Sequence, residues 1–227
     1  MYSYVVSKIN IKLAEIEQNL NLDPKSIVEK LIYLPSPLKI LRQEILDKNS
    51  GLIFSIGEPI ILFFRFLKEP LETTLKTEIL INFQKNPGLM ISSPRGIGIL
   101  KRGNPRNYID SFIGPILAKT LFGGAKYYQP ISYSTEDMKP QNWGEDLRKI
   151  KVDIPKVGTM TLVGPNLELI IKTNIDLRNY FMKGRLISFK TYSNRINRVI
   201  EVNYNGVIKT SENNIKILSD YLAQIGQ

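Results

Sequence analysis

The residues of this chain whose types and spacing could do chemistry are its cations. Residues 85–108 carry Lys85, Arg95, Lys101, Arg102 and Arg106 without a single Asp or Glu. Residues 177–200 carry Arg178, Lys183, Arg185, Lys190, Arg195 and Arg198, again without an acid. The formal net charge is +10 over 227 residues; the two stretches contribute +11 and leave the rest close to neutral. Spread evenly, such charge would only raise solubility. Gathered into two stretches, it is the footprint of a surface that meets a polyanion.

Each block adds a detail to that reading. In the first, Gly103-Asn104-Pro105-Arg106 could offer backbone N–H groups and an arginine fork to a phosphate. Gly96-Ile97-Gly98 lacks the third glycine of a dinucleotide-binding turn, and no GxxxxGK[ST] phosphate loop occurs. In the second, Tyr180, Phe181, Phe189 and Tyr192 interleave with the cations. Read as a strand, residues 185–192 put Arg185, Ile187 and Phe189 on one side and Leu186, Ser188, Lys190 and Tyr192 on the other. Rings beside cations on one sheet face suit single-stranded nucleic acid, whose bases stack while its phosphates meet charge.

Absences restrict the alternatives. There is no Cys, hence no disulfide, thiolate nucleophile or Cys-ligated metal, and no His, hence no imidazole base or His-ligated zinc. An enzyme here would have to use carboxylates, Lys, Tyr, Ser or Thr; a carboxylate nuclease around Mg²⁺ would draw on Glu136, Asp137, Glu145, Asp146, Asp153 and Glu168 as acids and Lys151, Lys156 or Lys172 as helper. No compact acid-x-Lys pairing enforces such a site, so neither metal nor cofactor is expected. The most apolar run, Pro59–Leu67, is short and contains Arg65, and no secretory leader is evident. These features predict a cytoplasmic protein without membrane insertion.

The elements that must position the cations divide the chain unevenly. Ile9, Leu13, Ile16 and Leu20 have helical spacing behind a cap at Ser7; Asp23-Pro24 starts a second helix with Ile27, Leu31 and Leu34; Ser36-Pro37 starts a third with Leu38, Leu41 and Ile45. Beyond Gly51, strands are expected at 52–56 and 60–67 around Gly57-Glu58-Pro59, and again at 77–83, 88–92, 97–100 and 127–133. Residues 108–121 have helical spacing that Gly114-Pro115 must kink or split. A polar stretch at 134–148 precedes strands at 149–153, 159–163, 167–172, 185–192 and 198–204. Asn205-Gly206 marks a hairpin, and Ser211 caps a last helix. The expected fold class is therefore α+β: a helical N-terminal unit over 1–50, then a β-rich, mostly antiparallel body over 51–227, subdivided near 134–148, with a C-terminal helix.

Within the helical unit, residues 13–34 (LAEIEQNLNLDPKSIVEKLIYL) resemble a helix-turn-helix. That resemblance implies a second helix reading bases in the major groove through Lys25, Ser26, Glu29 and Lys30. The turn carries Asn21 where glycine is usual, and the first helix presents Glu15 and Glu17.

The composite expectation is a non-catalytic nucleic-acid-binding protein, a regulator or accessory subunit of a nucleic-acid-processing complex. Its contacts would be Lys25, Ser26, Lys30, Arg95, Lys101, Arg102, Arg106, Lys183, Arg185, Lys190, Tyr192, Arg195 and Arg198. The alternatives are a scaffolding subunit whose basic faces meet an acidic protein partner, and a His-free Mg²⁺-dependent nuclease.

Overall fold

The computed structural model describes residues 2–10, 23–46, 51–63, 68–82, 88–92, 105–131, 146–194 and 196–225. The chain forms two compact units, an amino-terminal one of Val5–Pro130 and a carboxy-terminal one of Met1–Tyr4 with Ile131–Gln227. Eleven strands are present among the described residues, and the helices are few and short. The expected helical N-terminal unit is overturned: the chain opens with strand β1 (Tyr2–Ile9), and the first described helix begins only at Pro24. Ser7 is no helix cap but a buried strand residue donating to the Tyr128 hydroxyl at 2.7 Å. The first helix and turn of the proposed helix-turn-helix lie outside the described residues.

In the amino-terminal unit, the Asp23-Pro24 signal does start helix α1 (Pro24–Lys30). Asp23 accepts from the backbone N–H of Lys25 at 2.8 Å and of Ser26 at 3.1 Å. The next expected helix is instead strand β2 (Lys39–Ile45), whose Leu41 and Ile45 are exposed. Pairing with β3 (Gly51–Leu62) outweighs helical spacing there, with Leu41 as an extra residue in a bulge. Strand β3 runs straight through Gly57-Glu58-Pro59, where the sequence suggested a turn. It pairs residue for residue with β4 (Leu71–Asn82), and Pro59 lies opposite Thr74. β2 has ended by then, its last pair being Lys39 with Gly57, so the missing proline N–H faces no neighbour on that side. β5 (Gly88–Ser92) follows, giving the order β2-β3-β4-β5-β1.

The helix expected at 108–121 is split, as Gly114-Pro115 requires. α2 (Pro105–Tyr108) passes into a π-helical turn (Ile109–Ile113) and then α3 (Gly114–Phe122). The Gly114 N–H reaches back five residues to the Ile109 carbonyl, a wider loop that admits the proline ring. α3 ends in a left-handed Gly123, and the chain closes the unit with the short β6 (Tyr128–Pro130) against β1.

The carboxy-terminal unit is an antiparallel sheet in the order β11-β10-β9-β7-β8. Its strands are β7 (Asp146–Ile154), β8 (Gly158–Val163), β9 (Arg185–Ser193), β10 (Arg198–Asn203) and β11 (Val207–Thr210). The segment 167–172, expected as a strand, is helix α4 (Leu167–Thr173), followed by α5 (Ile175–Lys183). Asn205-Gly206 makes the β10–β11 turn, with Gly206 at φ 76°. α6 (Ile215–Ile225) comes last. Directly opposed residues Leu162, Ile150, Phe189, Val202 and Ile208 form a row across all five strands. All of that row but Leu162 is buried, and Leu167, Ile171 and Phe181 of the helices are buried too. No described helix is long and apolar enough to cross a membrane.

Candidate nucleic-acid interface

Strand pairing decides which cations meet. In β9 the register slips by one between Lys151 and Val152 of β7, leaving Ile187 as an extra residue. The bulge corrects the alternation expected from sequence. Leu186 opposes the buried Val152 and Phe189 opposes the buried Ile150, while Arg185, Ser188, Lys190 and Tyr192 share the opposite, outer face. A second slip in β7 makes Arg148 an extra, exposed residue.

The outer face is read off the same ladders. Lys149 of β7 lies directly opposite Lys190 of β9, Lys190 opposite Glu201 of β10, and Glu201 opposite Lys209 of β11. Lys151 stands two residues along β7 from Lys149, opposite Ser188, which is opposite Asn203. Lys190 approaches Glu201 at 3.8 Å. Among the described residues, Lys149, Lys151 and Lys209 make no ion pair. Like charges directly opposed on a sheet are destabilising, so Lys149 beside Lys190 is a cost that the fold carries.

On either side of this transverse row, toward the two ends of β7, sits a carboxylate–guanidinium–ring stack. Arg148 holds Asp146 Oδ2 through Nε at 2.8 Å and through a terminal nitrogen at 2.7 Å, and its guanidinium lies 5.2 Å from the centre of the Tyr192 ring. Tyr192 lies directly opposite Asp146, and its hydroxyl donates to the Asn197 side chain. At the other end Arg185 pairs with Asp153 at 3.5 Å and covers the Tyr204 ring at 5.5 Å. Asp146 Oδ1 is buried and has no hydrogen-bond partner among the described residues. Arg148, Arg185, Lys149, Lys151, Lys190 and Lys209 thus face three acids, Asp146, Asp153 and Glu201.

Several expected contacts are placed elsewhere. Arg106 is only 6% exposed and donates through Nε to Asp110, so it belongs to the core rather than to a basic surface. Lys30 spends its ammonium on the carbonyl of Leu121 at 3.2 Å, at the end of α3 where a cation complements the helix dipole, and burial lowers its pKa. Ser26 bonds its own cap residue, Asp23, at 2.7 Å; Lys25 is exposed. Ser26 and Lys30 are therefore engaged within the unit rather than presented to a groove. Lys183 closes α5 and Arg198 opens β10 with a bond to the Asn197 carbonyl at 2.9 Å; neither joins the lysine row. Arg95, Lys101, Arg102 and Arg195 lie outside the described residues.

The sequence reading missed Lys149, Lys151 and Lys209 as partners of Lys190. The signal was the alternation Lys149-Ile-Lys151-Val-Asp153, polar outward and apolar inward, which a search for acid-free stretches passes over because Asp146 and Asp153 interrupt it. For carboxylate chemistry, no three acids cluster as metal ligands among the described residues. Asp146 and Asp153 are paired with arginines, Glu168 with Lys172 at 2.6 Å, and Glu136, Asp137 and Glu145 lie outside the described residues. No family model matches the chain, and no curated protein matches it.

Proposed function

We propose that the chain is a cytoplasmic, non-catalytic nucleic-acid-binding protein, a regulator or accessory subunit, and that the outer face of its carboxy-terminal sheet makes the contact. The observation that carries this reading is the transverse row Lys149–Lys190–Glu201–Lys209 with Lys151 beside it. Two lysines opposed across neighbouring strands, and three cations without a described acidic partner, become favourable when a chain of phosphates lies over them. The face is antiparallel sheet, so it is rigid and its cations are spaced by the strand separation of about 4.8 Å and the two-residue repeat of about 6.8 Å.

The test is a salt titration with labelled nucleic acid. Neutralising four lysines gives a slope of log K against log salt near about −3 for a single strand. Charge reversal by Lys149→Glu, Lys151→Glu and Lys190→Glu together should lower affinity by about 100-fold at fixed salt. Unchanged affinity in that variant would overturn the assignment to this face. Binding that is lost only for an acidic protein, with no nucleic acid bound by the parent, would replace it with the scaffold reading.

A further inference from the structure

Resting on that reading, we infer that the face takes single strands, and that Tyr192 and Tyr204 are its base-stacking platforms, each covered in the free protein by an arginine that exchanges to phosphate. The two ends of the face along β7 are built alike from different pieces of chain. Asp146–Arg148–Tyr192 stands where β7 begins, and Asp153–Arg185–Tyr204 where it finishes. In each, a guanidinium lies over an aromatic face while a carboxylate holds its edge. Arg148 and Arg185 are exposed, with 53% and 69% of their side-chain surface open to water.

The Asp153–Arg185 pair is exposed on both sides, so it contributes little, is screened by salt, and yields its arginine to a phosphate with small loss; Asp146 is less exposed, and Arg148 exchanges at greater cost. Nothing described satisfies Asp146 Oδ1, so that pair is incomplete even when formed. Once a guanidinium turns to a phosphate, the ring beneath it is open to a base, and every base has a π-face to offer. Tyr192 lies opposite Val199, five residues before Tyr204, which sets the platforms about 17 Å from one another. That span falls within the roughly 4–16 nucleotides occupied by single-strand grooves. Lys149, Lys151 and Lys190 lie between them and follow the backbone of the same strand. A duplex keeps its bases stacked on each other, and meets only the lysines.

The experiment compares 12-nucleotide single-stranded RNA, single-stranded DNA and a DNA duplex, at one salt concentration and across a salt series. The proteins are the parent, Tyr192→Leu, Tyr204→Leu, the corresponding Phe variants and Lys149→Glu/Lys190→Glu, each checked by thermal melting. Each Leu variant should lose about 10-fold in affinity for single strands, with an unchanged salt slope and unchanged duplex binding, and each Phe variant should retain it. The RNA and DNA arms show which sugar is accepted. On the unaltered protein, ultraviolet crosslinking of the bound single strand should mark the peptides holding Tyr192 and Tyr204. Leu variants that bind single strands like the parent, equal losses for single strand and duplex, or crosslinks confined to other peptides would overturn the inference while leaving the parent reading intact. A parent protein that binds none of the three would overturn both.

Discussion

Arg106 shows at one residue how a charge in a basic stretch becomes part of a core. Its Nε donates to Asp110 Oδ2; Asp110 Oδ1 accepts from the Tyr128 hydroxyl, which in turn accepts from Ser7. Tyr108 nearby donates to Glu58 at 2.6 Å. Replacing Arg106 with Met leaves the Asp110 carboxylate without its counter-charge and should cost about 3–5 kcal/mol in urea unfolding. Burial first, and then the acid partner, raise the Tyr108 and Tyr128 pKa values above the usual phenol range. These groups therefore stay protonated in the folded chain after the unfolded chain has ionised. Their contribution to stability is complete below pH 10 and is lost as pH rises beyond it. Melting temperature should fall steeply above pH 10, and Tyr108→Phe with Tyr128→Phe should flatten that fall. None of this was legible from Arg106 in sequence, because burial is a property of what packs around a residue and not of its neighbours in the chain. The cap at Asp23 was legible, since its partners are two and three residues away.

At the scale of the element, two local departures from regularity determine what faces where. The Ile187 bulge lets Leu186 and Phe189 point inward while Arg185, Lys190 and Tyr192 point out. Deleting Ile187 would force one side of that bulge onto the wrong face. The expected outcome is a much larger loss of stability than Ile187→Ala, together with loss of nucleic-acid binding. A similar test applies to α3. Alanine is favoured over glycine in a helix by about 1 kcal/mol, yet a Cβ on Gly114 would lie 2.3 Å from the Tyr128 ring. Gly114→Ala should therefore destabilise, by about 1–3 kcal/mol, against its helix propensity. Periodicity showed that residues 108–121 are helical and that Gly114-Pro115 interrupts them. It misread Leu38, Leu41 and Ile45, because that spacing describes a helix only if the stripe is buried, and here Leu41 and Ile45 are exposed on a paired strand. Pairing partners far along the chain decide such segments, and a single stretch of sequence does not contain them.

For the whole molecule, the lack of histidine has a direct consequence. The side chain whose unperturbed charge change falls between pH 5 and 8 is absent from the sequence. Affinity for nucleic acid should thus be flat from about pH 6 to pH 8.5, measured at constant ionic strength, with salt as the only strong control. The charge itself was legible in composition; its arrangement was not, because Lys149, Lys190 and Lys209 meet only through the register of β7, β9, β10 and β11. The same long-range pairing governs the order of assembly. The β3–β4 ladder is local and, once Asn82 has been made, closes in about 1–10 μs, far faster than a ribosome adds one residue. Tyr4 is different: its hydroxyl bonds the Glu212 carbonyl at 3.0 Å across 208 positions of chain. At about 5–20 residues per second it waits roughly 10–40 s for that partner. The Tyr4–Glu212 bond thus forms only after that interval, long after ladders such as β3–β4 have closed.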